Sequence, residues 1–350
     1  MPTEYASAKA TFVGVMLLTI LPVAGHAEGP LSAIDWLSQS VSAVPGTVVA
    51  GAEPPRVEPG VTQGAIPGDV SVSILGAALP DGLGLLAPEV TGLPRNLWGL
   101  GRSAEIASAL AADRGDVQPS LQALRLTLLM AEADPPVDAD GNGKLLLARI
   151  DELLLMGALD QASGLLTLAG DGTADLFRRS FDVALLLGSE DTACEKMRAR
   201  PELAPTFPAR VFCLARAGDW NAAALSLRTG EALGQISAPD VELLYRFLDP
   251  DIADGAAPLP IPNRPTPLIW RMFEAIGEPL PTLGLPLAFS HAELGPRGGW
   301  KAQIEAAERL TRVGVISPNT LLGLYTERQP AASGGVWDRV AAFQNFDDAV

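Results

Sequence analysis

Gly157-Ala158-Leu159-Asp160-Gln161-Ala162 is followed by Gly188-Ser189-Glu190-Asp191-Thr192-Ala193, and then by Gly218-Asp219-Trp220-Asn221-Ala222-Ala223. Each stretch reads Gly-x-x-[Asp/Asn]-x-Ala, and the glycines stand 31 and 30 residues apart. A period of this size belongs to helical hairpins, which stack because one hairpin alone cannot bury its apolar face. The local logic is the same in each copy. Gly157, Gly188 and Gly218 end a first helix in a left-handed cap. The Asp or Asn sits in the turn or in the next first helical turn, where the helix dipole favours it. Ala162, Ala193 and Ala223 let the second helix approach the first closely.

Working outward, the helical period predicts pairs at 144–156 with 159–169, 174–187 with 190–199, and 208–217 with 220–233. Ser103 is placed to cap a helix running to Asp113. Pro119 and Ser120 open another, which Asp134-Pro135-Pro136 stops. Beyond the repeats, 240–248 reads as helix up to Asp249-Pro250, and a Pro-rich connector spans 250–267. Further helices are expected over 267–277, 281–294, 300–314 and 318–328, with Ser317-Pro318 as cap and first helical residue. Val336 to Val350 is again amphipathic. The expected fold is all-α over 103–350, as antiparallel hairpins stacked into an α-solenoid. A solenoid normally closes on a polar face. This chain stops on an apolar one, so the expectation is a protein that continues past Val350 or docks there.

The first 27 residues read as an export signal. Lys9 and the amino terminus form a weak basic region offset by Glu4, and Thr11 to Ala24 is an apolar stretch. Gly25-His26-Ala27 supplies small residues for cleavage after Ala27. The alternative is an uncleaved signal anchor. The apolar run is shorter than the roughly 20 residues of a comfortable span, and no stable span is expected after cleavage. Residues 43–101 carry 8 Pro and 11 Gly, so 28–102 is expected to be mostly disordered, with one short strand near residue 72. Within it, 31–41 is an apolar island. Ile34, Trp36 and Leu37 there form either a docking motif that folds on a partner or a segment packed on its own domain.

The formal charge is -16. An acidic chain repels phosphate backbones, which speaks against nucleic-acid partners. Only 4 of the 25 basic residues are Lys. With 35 Gly and abundant Ala this leans toward a GC-rich bacterial genome, and export then means the periplasm. In that compartment Cys194 and Cys213 are expected to pair. One lies six residues before Arg200 and the other six after Phe207, so an antiparallel hairpin brings them level. Two buried thiols in adjacent helices are the alternative.

Asp138-Ala139-Asp140-Gly141-Asn142-Gly143 matches the front half of a calcium loop. The twelfth position should carry a bidentate Glu, but holds Arg149. The other reading is a turn that caps the helix starting near Lys144. His26 leaves with the signal, so His291 alone remains, and no Gly-x-Ser-x-Gly elbow accompanies it. A packing role fits it better than catalysis. No carboxylate pair stands out as a catalytic dyad, and no catalytic, cofactor or metal residue is expected.

Ala217-Gly218-Asp219-Trp220-Asn221-Ala222-Ala223 resembles the inter-helix turn of tetratricopeptide repeats. The likeness is degenerate: the family's first-helix Trp and Leu-Gly pattern is missing, and the spacing is shorter than its ~34 residues. The stretches 181–186, 272–281 and 321–327 resemble exported helical proteins of alphaproteobacteria. These resemblances imply a fold and a compartment, and no site. The function expected is an exported scaffold for protein–protein contacts in the cell envelope, its partner an envelope protein or peptide, without intrinsic catalysis. The alternative is a helical accessory region of an envelope enzyme.

Overall fold

A computed structural model describes residues 79–112, 118–253, 255–295 and 297–349. The signal segment, the strand expected near residue 72 and the motif at Ile34, Trp36 and Leu37 lie outside them. Fifteen α-helices and no strand are present among the described residues. α1 is Pro88–Thr91, α2 Ser103–Ala111 and α3 Pro119–Met130. The repeat region follows as α4 Lys144–Leu155, α5 Leu159–Ala169, α6 Ala174–Leu187, α7 Glu190–Ala199, α8 Phe207–Arg216 and α9 Trp220–Ala232. Then come α10 Ala238–Leu248, α11 Pro267–Ala275, α12 Ser290–Leu294, α13 Trp300–Arg312, α14 Pro318–Glu327 and α15 Val336–Asp347.

The helix ends obey the expected chemistry. Gly157, Gly188 and Gly218 all have φ between 75° and 81°. After each glycine the next N–H reaches back to a carbonyl one turn inside the helix: Ala158 to Leu153 at 2.8 Å, Ser189 to Ala184 at 2.8 Å, Asp219 to Leu214 at 3.0 Å. These bonds occupy carbonyls that the helix leaves open. At the other ends, Thr173, Thr206, Asp219, Ser237, Thr266 and Ser317 each accept a first-turn N–H through the side chain. Four of the helices so capped carry Pro in their first two positions, where its missing N–H costs nothing.

Successive helices pack on one another, and α6 is the hub. It packs against α5, α7, α11 and α12, and ten of its residues are buried. One contiguous apolar core runs from Leu129 to Val315. A second, smaller core joins α13, α14 and α15 through Ile304, Val336 and Val340, with the Trp300 and Trp337 rings 5.1 Å apart.

Three expectations are corrected. First, the described fold starts at Leu79, not at Ser103. Residues 82–86 lie along 130–133: Leu85 N–H donates to Met130 at 2.8 Å and Glu132 N–H returns to Leu86 at 2.8 Å. A Cβ on Gly84 would sit 2.1 Å from the Glu132 nitrogen, so only glycine allows this approach. Second, Ser103 is not a cap. It is the first residue of α2, and its N–H and hydroxyl donate to Asp138 Oδ1 at 2.8 and 2.9 Å. Third, 281–294 is not one helix. Pro281, Gly284 and Pro286 hold it as a loop until the short turn at Leu287–Phe289 and α12.

Candidate functional site

Of the sequence-predicted residues, those of the repeat turns and the cysteine pair sit at helix ends and helix contacts, and Ile34, Trp36 and Leu37 lie outside the described residues. Ala162, Ala193 and Ala223 are buried at the helix contacts they were expected to permit. Cys194 of α7 and Cys213 of α8 form a disulfide with Cα atoms 5.0 Å apart. His291 is buried, and its Nε2 meets the Gly157 carbonyl at 2.7 Å. Burial keeps its pKa below the ordinary histidine value, with the Gly157 bond opposing that shift. It therefore ties the first repeat turn to α12 as a neutral donor.

The calcium-like loop is dismantled by its own partners. Asp138 accepts from Ser103, whose N–H holds its carboxyl below the usual range. Asp140 accepts from Asn142 N–H at 3.0 Å and pairs with Lys144 at 3.3 Å. Arg149 points away into the core at 0% exposure and donates to three carbonyls, of Leu129, Leu83 and Ala131. The cap of α4 comes from neither Asp138 nor Asn142. Leu146 N–H donates at 2.9 Å to Asp81, which is buried and stands 65 residues earlier.

Two clusters of buried charge were not singled out from sequence. At the first, Glu190 of α7 is 1% exposed and lies 3.4 Å from Arg216, 3.7 Å from Arg297 and 4.0 Å from Arg271. Arg271 also donates to Glu274 and to the Leu185 carbonyl, and its guanidinium stands over the Trp270 ring. Arg216 bonds Asp191 at 2.7 Å, and that bond draws the Asp191 carboxyl below its ordinary range. The knot joins α7, α8, α11 and the segment after α12.

The second cluster opens on a cleft of about 310 Å³. Its walls come from α6, α8, α10 and α11, helices of successive layers. The caps Thr206, Ser237 and Thr266 all line it, so three helix N-termini converge there. Asp182 of α6 belongs to its lining, 4% exposed, with Oδ2 lacking any hydrogen-bond partner. Burial pushes its pKa up to about 7, against the pull of Arg178 and Arg179 on the same helix. Asp240 of α10 also lines the cleft, and no Lys, Arg or His does. The signal in sequence was a lone acid inside Phe181-Asp182-Val183-Ala184-Leu185, on the buried face of a helix.

Among the described residues no group of three or more His, Cys, Asp or Glu is arranged to hold a metal ion, and no helix is long and apolar enough to cross a membrane. No protein family, curated protein or solved structure matches the chain.

Proposed function

We propose that the protein is an exported scaffold of the bacterial cell envelope that engages a partner protein or peptide through the cleft beside Asp182. The observation that carries this reading is that α6, α8, α10 and α11 each present residues to that one concavity. Stacked helical hairpins bind extended or helical segments on surfaces shared by successive repeats, because no single repeat offers enough contact. The degenerate likeness of 217–223 to tetratricopeptide turns points the same way, and the apolar segment with Ala27 supports a periplasmic address.

The test uses the full chain in its host cell, with a photo-crosslinking residue at Gln235, an exposed residue in the cleft lining. A control places the crosslinker at the exposed Lys301 of α13. The reading expects a discrete adduct from Gln235 and not from Lys301, and an exported form that begins at Glu28. Equal labelling from both positions sinks the cleft as the partner surface. The intact chain in the membrane fraction sinks the cleaved-signal reading.

A further inference from the structure

We infer that the cleft beside Asp182 binds a protonated primary amine carried on an apolar stem, with the ammonium donating to Asp182 and the stem lying along Phe181, Ile236 and Leu268. This deepens the preceding proposal and rests on its choice of surface. An orphaned buried acceptor is uncommon because leaving it unpaired costs the full desolvation of the group. Asp182 Oδ2 is such an atom, and it belongs to a carboxyl in the cleft lining. Arg178 and Arg179 act on Asp182 from its own helix, but no basic side chain lines the cleft, so a ligand can bring a donor from that side. An ammonium brings three and needs no acceptor.

The neighbours fit that choice. Thr206 Oγ1 and Thr266 Oγ1 each accept one first-turn N–H, from Ala209 and Ile269 at 3.2 Å. Each hydroxyl oxygen keeps a second lone pair. Asp240 takes the Ser237 hydroxyl at 2.7 Å and adds a second carboxylate to the lining. The walls at Phe181, Ile236 and Leu268 are apolar and suit methylenes.

The opposing reading is an anion, drawn by three helix N-termini. Each dipole end contributes little at an exposed site, is screened by salt and fades within a turn. Here Pro208, Pro239 and Pro267 remove one first-turn donor from each helix, and the caps occupy another. An anion would also face Asp240 with no basic side chain in the lining. A cation would instead meet two carboxyl groups, of Asp182 and Asp240, in the lining. The cation wins on that comparison.

Charge makes the proposal testable by sign. The groups acting on Asp182 are Arg178 and Arg179 of α6 and Asp151 of α4, and Arg179 is committed to Asp151 at 2.5 and 2.6 Å. With Asp182 half-ionised near pH 7, an amine that stays protonated to about pH 10 must displace a proton at pH 6 and none at pH 8. Calorimetric titration of the full chain with n-butylammonium chloride is therefore expected to show about tenfold tighter binding at pH 8 than at pH 6. The peptide acetyl-Ala-Ala-Lys-Ala-Ala-amide is the second probe, norleucine in place of lysine its uncharged control, and butyrate the anion control. Binding of both amines assigns the site to free amines as well as to lysine side chains. Binding of the peptide alone assigns it to a partner's lysine.

Asp182→Asn should weaken the amine at least tenfold at pH 8. Asp240→Asn on the rim gives a second variant should the first fail to fold, and the pH series needs no variant at all. Absence of amine binding, affinity that rises toward pH 6, stronger binding of butyrate, or equal affinity in Asp182→Asn overturns the proposal. A Gln235 crosslink without amine binding removes the amine and leaves the scaffold reading. Amine binding without a crosslink does the reverse.

Discussion

Replacing Arg149 by Met should cost about 3–5 kcal/mol and release the segment that precedes α2. The guanidinium is fully buried and donates to Leu129 O at 2.8 Å, Leu83 O at 2.6 Å and Ala131 O at 2.8 Å. Methionine approximates the length of the side chain and offers no donor. Three carbonyls are then orphaned, at roughly 1–3 kcal/mol each. Against this stands the relief of a buried charge, an effective several kcal/mol. Burial already draws the Arg149 pKa down to about 10, yet the group stays charged at neutral pH. Asp81 lies close enough to oppose that shift, so its own buried carboxylate also loses a compensating charge. Urea unfolding followed by circular dichroism measures the total. Amide hydrogen exchange at Leu85, Leu86 and Glu132, whose N–H groups bond between the two segments, measures the local part. Arg149→Lys keeps the charge and loses the fork, and should fall near the Met variant. A loss below about 1 kcal/mol with protection of these amides unchanged would refute the clamp.

Reducing the Cys194–Cys213 bridge, which spans 19 residues of sequence, should remove roughly 3 kcal/mol and lower Tm by about 5 °C without loss of helix by circular dichroism; an unchanged Tm contradicts this. Gly157→Ala should cost about 2–4 kcal/mol and Gly218→Ala about 1–2 kcal/mol in the same unfolding assay, because both sites have positive φ but only at Gly157 would the Cβ meet Leu287, at 2.9 Å. Equal costs would place the strain in the backbone alone. Asp182→Asn should gain stability relative to the parent chain as pH rises: the folded pKa near 7 stands above the ordinary value of 3.8, so stability from the neutral form is fully present below pH 4 and lost as pH climbs through 7, by on the order of 4 kcal/mol. Parallel unfolding curves of the two proteins at pH 5 and pH 8 check it, and a difference independent of pH is the failing result.

What was legible in the sequence is what local chemistry controls. Glycine at positive φ ends a helix wherever it stands, so Gly157, Gly188 and Gly218 announced their turns. Equal offsets from one connector placed Cys194 opposite Cys213. What was not legible depends on partners far along the chain. Leu79 to Arg102 is rich in Pro and Gly and carries no helical period, yet it folds because Leu85 and Leu86 bond Met130 and Glu132 and the Leu83 carbonyl accepts from Arg149. Ser103 looked like a cap, and Asp138, 35 residues later, took that role. The helix expected over 281–294 shrinks to Ser290–Leu294 after the turn at Leu287–Phe289, because Pro281, Gly284 and Pro286 outweigh its apolar residues. Asp182 was visible as an acid among apolar neighbours, but only the packing of α8, α10 and α11 shows that it opens on a cleft.

The same dependence on distant partners explains the arginine-rich composition, 21 Arg against 4 Lys, in terms that codon usage does not supply. Helices that end in Pro- and Gly-rich connectors leave last-turn and connector carbonyls without backbone donors. Arginines reach several of them: Arg125 bonds Leu110 O, Arg200 bonds Asp171 O, Arg246 bonds Ala257 O, Arg271 bonds Leu185 O and Arg309 bonds Thr282 O. Arg149 takes three alone. A planar fork with five donors can hold carbonyls from two segments at once, and a lysine ammonium on a flexible stem does this poorly. Several of the same forks keep a carboxylate as well, Glu152 for Arg125, Glu278 for Arg246 and Glu293 for Arg309. Arg125, Arg246, Arg271 and Arg309 thus each hold a backbone carbonyl and a carboxylate with one group. Asp182 departs from that pattern: Arg179 is spent on Asp151, Asp182 Oδ2 receives no hydrogen bond, and its carboxyl belongs to the cleft lining.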